Sequence, residues 1–198
     1  MIFIRALDLC CGAGGWSIPL LEDGWDVVGV DIKKTHYPGT LILQDIKNLK
    51  GGLFRNHYDL IIGSPPCVDF SNARFKSMHV HGKKPDPKEG MILIREFERI
   101  IEEAQPKIWI MENIRVMENH YERKPIWHFY ISKGGKRSLW GNLCFPPLAP
   151  DFRFRHKIKE INGWDQTRWM RAFIPYNIAR FVVNVVTKQL SECGSFNG

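Results

Sequence analysis

The chain has 198 residues, of which 44% are hydrophobic and 25% charged, and its formal net charge is +7. This length is enough for one α/β domain with a sizeable core and is short for two. No apolar run approaches the roughly eighteen residues that would span a bilayer, so we expect no membrane partner. The first residues lack the pattern of a secretory signal, which favours a cytoplasmic location.

Cysteine content and charge narrow the class of protein further. The five cysteines are an odd set without a C-x-x-C pair, which favours reduced thiols and argues against both a disulfide framework and a zinc site. Lys and Arg are dense from 74 to 88 and from 123 to 159, so a polyanion such as nucleic acid is a reasonable partner. A solvated basic surface without a ligand explains the same charges.

In chain order, short apolar runs alternate with helical patterns. Strands are predicted over 3–9, 25–31, 40–43, 58–63 and 107–111. Helices are predicted over 14–22, 88–104 and 173–190, whereas 114–150 lacks clean periodicity. The alternation predicts an α/β fold, a Rossmann-like, doubly wound and mostly parallel sheet with a small irregular C-terminal extension.

A glycine-rich turn lies between the first predicted strand and helix, in the sequence DLCCGAGG of residues 8–15. Glycines let a ligand approach the backbone, and a helix N-terminus attracts negative charge. Asp31 ends the second strand about twenty residues on, the spacing at which an acid meets ribose hydroxyls. Because the turn has no Lys-Ser or Lys-Thr pair, the pattern predicts a nucleotide-like cofactor other than a triphosphate.

A cysteine follows two prolines after the strand 58–63, in the sequence SPPC of residues 64–67. The carboxyl edge of a parallel sheet is where open α/β folds hold their ligands, and two prolines remove most of the backbone freedom before the thiol. A stiff loop presenting one thiol suits covalent catalysis, which makes Cys67 a candidate nucleophile. A packed, unreactive cysteine in an ordinary turn is the alternative.

Together with these two motifs, most of the chain resembles the cytosine carbon-5 methyltransferases. DLCCGAGG (8–15) is similar to the family's cofactor loop, VGVDI (28–32) to its ribose-binding strand end and QDI (44–46) to its adenine-contacting motif. SPPCVDFS (64–71) resembles the catalytic loop, and MENI (111–114) resembles the Glu-Asn-Val motif. DFRFR (151–155) is similar to the Gln-x-Arg-x-Arg segment, and IPYNIA (174–179) to the last helix.

The resemblance implies a class I methyltransferase fold with S-adenosylmethionine as the cofactor. Asp31 is expected at the ribose hydroxyls. Cys10 stands where the family has a phenylalanine stacked on adenine, and Trp16 is a candidate replacement for that ring. The cofactor-binding residues implied by the resemblance are Asp8, Cys10, Gly12, Gly14, Gly15, Trp16, Asp31, Ile32, Asp45, Ile46, Ser64, Pro65 and Pro66.

The resemblance also implies a reaction at carbon-5 of cytosine. That carbon is a poor nucleophile, so the Cys67 thiolate would add to carbon-6 and make carbon-5 electron-rich. Glu112 would neutralise charge at ring nitrogen 3, and Asn113 would hold the loop. Arg155, with Arg153 in the same segment, would lie at the ring carbonyl and near the thiol. In duplex DNA the target base must be flipped out.

One methyltransferase domain is expected over 1–198, with a catalytic core of about 1–115 and a C-terminal helix of about 173–190. A small substrate-recognition insertion is expected over about 116–160. Only about eighteen residues, 156–173, fill the space where the family normally has a target-recognition domain, so the expected form is minimal. The residues expected to contact substrate are Phe70, Ser71, Lys76, Lys83, Lys84 and Trp140.

Three hypotheses about function remain open at the level of sequence. The favoured one is a minimal DNA (cytosine-5) methyltransferase that reads a short target through residues 72–88 and 114–150, and restriction-modification is one of the roles left open for it. The second is a methyltransferase acting on RNA, because the doubled proline before Cys67 also resembles the branch of the family that methylates transfer RNA. The third is a non-catalytic nucleic-acid-binding module, against which the intact Cys67, Glu112 and Arg155 argue. A separate recognition subunit and a homodimer are both open as partners.

Overall fold

An eight-stranded sheet is the frame of the computed structural model, which describes residues 4–71, 84–131, 135–146, 153–154 and 174–194. The strands are β1 (Arg5–Leu9), β2 (Asp26–Asp31), β3 (Thr40–Leu43), β4 (Leu60–Gly63), β5 (Ile108–Ile114), β6 (Trp127–Ile131), β7 (Gly135–Gly141) and β8 (Arg153–Phe154). Their order in the sheet is β3-β2-β1-β4-β5-β7-β6-β8. The first five in that order are parallel, and β7 runs antiparallel between β5 and β6.

Alternating side chains give the sheet two apolar faces. Ala6, Leu60 and Ile62 pack on one face, whereas Leu7 and Ile61 pack on the other, as the two-residue period of a strand requires. Helices α1 (Ser17–Glu22) and α3 (Tyr176–Gly194) cover the first face, and α2 (Pro87–Ala104) covers the second. Among the described residues, no helix is long and apolar enough to cross a membrane.

Helix α2 is bounded by local signals at both ends. Asp86 caps it by accepting a hydrogen bond from Lys88 N over 3.0 Å, and Pro87 occupies the first turn, where a missing N–H costs nothing. Gln105 ends the helix in the left-handed conformation. The buried stripe of Ile94, Phe97 and Ile100 faces the sheet at the spacing of an amphipathic helix.

The predicted Rossmann-like α/β fold is confirmed, and the main difference lies in residues 116–160. All five predicted strands are present as β1 to β5. The described part of the segment predicted as an insertion supplies β6, β7 and β8 to the same sheet. Phe129 and Leu139 from the β6–β7 hairpin join the core that α3 covers. In β7 the run of Gly, Lys, Arg and Ser before Leu139 and Trp140 breaks the alternation of apolar residues, so no clean period marks this strand in the sequence.

The carboxyl ends of the parallel strands gather the chemistry-bearing residues at one edge of the sheet. The glycine-rich turn follows β1, Asp31 ends β2, and Asp45 follows β3. Cys67 follows β4, and Glu112 lies near the end of β5. An edge of this kind is where open α/β sheets bind their ligands, so the topology alone brings the predicted cofactor and catalytic residues together.

Candidate active site

Three side chains from three elements converge at the carboxyl edge of β5. The Arg137 Nη1 atom, on β7, lies 3.7 Å from Cys67 Sγ and 3.3 Å from Glu112 Oε1. Glu112 pairs with Leu139 across β5 and β7, so Arg137 stands two residues along β7 on the same side of the sheet. The register of an antiparallel strand thus brings the guanidinium to a thiol 70 residues away in sequence.

This group of Cys67, Glu112 and Arg137 is largely shielded from water. Glu112 is 3% exposed and Arg137 9% exposed, while Cys67 is half-buried. Burial lowers the pKa of the Arg137 guanidinium, but attraction to Glu112 and Cys67 outweighs burial and leaves that pKa above its usual value. Glu112 Oε1 makes the ion pair but accepts no hydrogen bond from the residues that the structure describes, so among these residues it is open to a donor from a ligand.

The proline loop that carries Cys67 is held in position by β5. Asn113 Nδ2 donates a hydrogen bond to Pro65 O over 3.0 Å, and this contact is buried. Consecutive residues of a strand point to opposite faces. β5 therefore places Glu112 at the thiol and contacts the loop through Asn113.

A cavity of about 290 Å³ adjoins this loop. Six of the predicted cofactor-binding residues line it, namely Cys10, Asp31, Ile32, Asp45, Ile46 and Pro66. Its other walls are formed by Gln44, Lys47, Asp69, Glu89, Ile92 and Leu93. Because Pro66 immediately precedes Cys67, the cavity and the thiol are neighbours along the same loop.

Asp31 links the cavity to the glycine-rich turn. Its Oδ2 accepts a hydrogen bond from Gly12 N over 3.0 Å, and its Oδ1 accepts one from Lys33 N over 2.9 Å. Gly12 and Gly14 have φ values of 53° and 81°, a region that glycine tolerates without steric cost. The turn can therefore fold back onto the carboxylate at the end of β2.

Burial controls the ionisation of the groups behind the turn. Burial raises the pKa of Asp8 to about 7; the hydrogen bond from Ser17 opposes this rise and the charge of Asp31 adds to it. Burial, together with nearby carboxylates, also raises the pKa of both Cys10 and Cys11 well above the usual value. Both are therefore neutral thiols at neutral pH and poor nucleophiles.

The lining of the cavity suits an adenosine-containing cation. Ile32, Ile46 and Ile92 offer apolar contacts to a flat ring, and the carboxylates of Asp31 and Asp45 can accept hydrogen bonds from hydroxyl and amino groups. Four carboxylates and one lysine line the cavity, a balance that opposes a pyrophosphate. S-adenosylmethionine, with its sulfonium and ammonium groups, fits this set of residues.

Three residues predicted to contact a ligand are buried instead. Trp140 is fully buried, and its Nε1 donates to Arg123 O over 3.0 Å. Phe70 is also buried. Trp16 is 2% exposed and donates its Nε1 to Ser64 Oγ over 3.0 Å. The three rings pack inside the protein in this structure, and their predicted contacts with a ligand stay predictions.

The roles predicted for several other residues stay predictions. Arg155, Lys76 and Lys83 lie outside the described residues. The backbone of Arg153 lies in β8, three strands along the sheet from β5, and its side chain is outside the described part. Lys84 is exposed and Ser71 half-buried. The predicted cofactor residues that shape the turn and the loop without lining the cavity are Asp8, Gly12, Gly14, Gly15, Ser64 and Pro65.

Sequence reasoning missed the arginine beside the thiol. Arg137 is one of 28 Lys and Arg residues and lies in no motif that the sequence made visible. Sequence reasoning also missed that α2 forms one wall of the cavity. Ile92 is 44% exposed although it is apolar, and its position off the buried stripe of that helix was an available signal of a ligand contact.

The sheet order and the site at its carboxyl edge define a Rossmann-like methyltransferase fold. A family model described as C-5 cytosine-specific DNA methylase matches residues 4–132, which is well over half of the chain. The chain belongs to this family.

Relatives and solved structures match parts of the chain. Type II methyltransferase M1.HphI of Haemophilus parahaemolyticus is 30% identical over 137 residues, covering 60% of this chain and 34% of that protein. Type II methyltransferase M.AquIA of a Picosynechococcus strain is 40% identical over 70 residues, covering 34% of this chain and 25% of that protein. Spodoptera frugiperda DNMT2 has a TM-score of 0.39 at 24% identity, covering 59% of this chain and 37% of that one. The chain spans about a third of the length of the first relatives it matches.

The raised pKa of Asp8 predicts a pH dependence of folding stability. In the window between its unfolded pKa of 3.8 and its folded pKa of about 7, the folded state binds more protons than the unfolded state. Stability from Asp8 is therefore present at low pH and is lost as pH rises through the folded pKa. Urea unfolding should show that, relative to Asp8→Asn, the wild type loses roughly 2–3 kcal/mol between pH 5 and pH 8. A stability difference between the two proteins that is independent of pH would contradict this.

Proposed function

We propose that this chain transfers a methyl group from S-adenosylmethionine to carbon-5 of cytosine in DNA, through a covalent bond between Cys67 and the base. The observation that carries the proposal is the convergence of Arg137 Nη1 on both Cys67 Sγ and Glu112 Oε1. Family membership supports the choice of cytosine carbon-5 as the target. Localisation in the cytoplasm and a role in restriction-modification remain part of the same proposal.

Cys67 is the proposed nucleophile. A fixed cation 3.7 Å from its sulfur stabilises negative charge there, and the two prolines before it restrict the loop. The thiolate adds to carbon-6 of cytosine, forming the C–S bond and moving the electron pair of the 5,6 double bond toward carbon-5. Carbon-5 thereby becomes the nucleophile. After methylation a base or a water molecule takes the carbon-5 proton, and the electron pair of that C–H bond restores the 5,6 double bond as the C–S bond breaks and the Cys67 thiolate leaves.

Glu112 and Arg137 are proposed to act on the polar edge of the base. Addition of the thiolate pushes negative charge toward ring nitrogen 3 and the carbonyl oxygen. A proton shared between the Glu112 carboxyl and nitrogen 3 would neutralise the charge there, and the Arg137 guanidinium can stabilise charge at the oxygen. Because both groups are almost fully buried, their interactions with the base are stronger than they would be in water.

The cavity beside the loop is the proposed cofactor site. S-adenosylmethionine supplies an electrophilic methyl group on sulfur when bound. Asp31 would accept hydrogen bonds from the ribose hydroxyls, while Asp45 and Ile46 would contact the adenine. Ile92 on α2 would cover the other side of the ring, in place of an aromatic residue at Cys10.

DNA is the proposed substrate, with the target cytosine rotated out of the duplex. The carboxylate and guanidinium lie within the protein, where a base that remains stacked in the helix cannot reach them. Lys84 is exposed and available for phosphate contacts. A separate recognition subunit, or a second copy of the chain, is the proposed source of further target contacts.

A radioactive methyl-transfer assay tests the function. Wild-type protein with tritiated S-adenosylmethionine should label a pool of DNA, and Cys67→Ser should abolish labelling because an alcohol is a far weaker nucleophile at carbon-6. Cys144→Ser is the matched control, since Cys144 is an exposed free cysteine, and it should retain full activity. Labelling of RNA in preference to DNA would redirect the substrate assignment. Undiminished labelling by Cys67→Ser would refute the mechanism, and labelling only with an added protein would identify a recognition subunit.

A substitution of Arg137 tests whether its contacts with Cys67 and Glu112 matter for the reaction. Arg137→Lys should lower kcat about a hundredfold, in the range for removing one charge-stabilising donor, because the shorter lysine side chain cannot place its ammonium where Arg137 Nη1 meets both Cys67 Sγ and Glu112 Oε1. Binding of S-adenosylhomocysteine, measured by calorimetry, should stay within about twofold. Arg123→Lys, an exposed residue paired with Glu98, is the control and should keep wild-type kcat. Equal kcat values in the two variants would exclude Arg137 from the reaction.

A further inference from the structure

Arg99 of α2 contacts the 3-10 turn Ile46–Asn48 that follows β3. Its Nη2 atom donates to Ile46 O over 3.2 Å and to Leu49 O over 2.8 Å. Ile46 itself lines the cofactor cavity, as does Asp45 just before it. A single guanidinium nitrogen therefore donates to two backbone carbonyls. One belongs to the first residue of the turn Ile46–Asn48, and the other belongs to the residue directly after that turn.

Two carboxylates fix the orientation of the Arg99 guanidinium. Glu96 Oε2 accepts a hydrogen bond from Arg99 Nε over 2.7 Å, and Glu103 Oε1 accepts one from Nη1 over 2.9 Å. Glu103 Oε2 in turn accepts a hydrogen bond from Gly52 N over 3.3 Å. Each nitrogen of the planar fork is thus engaged, which restricts its position more than a single exposed ion pair would.

The same helix forms a second wall of the cavity. Ile92 lines the cavity and precedes Arg99 by seven residues, which is close to two helical turns or about 10 Å, so both lie on similar sides of α2. One rigid helix therefore supplies one wall and also anchors the turn that forms another. Arg99 therefore bridges the two walls through its hydrogen bonds to the turn.

We propose that Arg99 is a positioning residue of the cofactor cavity, which fixes the turn carrying Asp45 and Ile46 at the correct distance from α2. The inference rests on the proposed function, because it takes S-adenosylmethionine as the ligand. Arg99 does not line the cavity and acts only through the turn. Its loss should therefore weaken binding of the adenosine moiety while the methyl-transfer step stays intact.

The test compares Arg99→Met and Arg99→Lys with Arg95→Met. Arg95 lies on the same helix and makes ion pairs with Glu98 and Glu122, which makes it a matched control away from the turn. By calorimetry and competition, the Kd values of S-adenosylhomocysteine and of adenosine should rise about tenfold in Arg99→Met and about threefold in Arg99→Lys. Arg95→Met should bind like the wild type. In the methyl-transfer assay, KM for S-adenosylmethionine should rise with kcat unchanged.

Any other outcome overturns either the positioning role of Arg99 or the proposed function on which it rests. Unchanged affinity in Arg99→Met, or an equal loss in Arg95→Met, overturns the positioning role, as does a lower kcat with unchanged KM. A wild type that binds neither S-adenosylhomocysteine nor S-adenosylmethionine refutes the proposed function itself, which separates the two failures. Thermal melting establishes that each variant is folded at the assay temperature, and if Arg99→Met is not, Arg99→Lys decides by the same criteria.

Discussion

A buried guanidinium shared between a thiol and a carboxylate is the interaction on which the candidate active site depends. Arg137 is 9% exposed, and a charge so far removed from water is unfavourable unless it is paired. Glu112 supplies that pair, and the adjacent strands β5 and β7 fix the distance between them. The sheet itself therefore determines the position of the cation at Cys67, and no flexible surface side chain is needed to bring it there.

The two halves of the carboxyl edge have opposite electrostatic character. Carboxylates dominate the cofactor cavity, with Lys47 as the cation in its lining, whereas Arg137 supplies positive charge at the thiol. The proline loop separates these environments, because Pro66 lines the cavity while Cys67 faces the guanidinium. The division suits the proposed chemistry, in which a cationic cofactor and an electron-rich base meet across one loop.

Sequence patterns predicted those features that depend on local chain chemistry. The glycine-rich turn, Asp31 at the end of β2 and the double proline before Cys67 are local signals, and each lies at the predicted edge of the sheet. The resemblance implies that Asn113 holds the loop, and in the structure its side chain donates a hydrogen bond to Pro65 O.

The features that sequence patterns missed depend on packing between distant segments. Arg137 reaches Cys67 only because β7 inserts antiparallel beside β5, and nothing in its immediate sequence specifies that pairing. Trp140 has an aromatic ring of the kind that stacks on bases. The alternation of side chains along β7 nevertheless directs this ring into the core. The role of Arg99 likewise depends on the docking of α2 against a turn that lies about fifty residues earlier in the chain.

The central claim is that Cys67 forms a covalent bond to the target base, and the most direct measurement is trapping with 5-fluorocytosine. Fluorine at carbon-5 prevents the proton loss that releases the thiol, so an oligonucleotide carrying this base, incubated with protein and S-adenosylmethionine, should form a stable adduct. Mass spectrometry of the digested complex is expected to find the methylated base on the peptide that contains Cys67, and Cys67→Ser should give no adduct. An adduct on Cys10, Cys11 or Cys144, or none in a wild type that methylates normal DNA, would contradict the account.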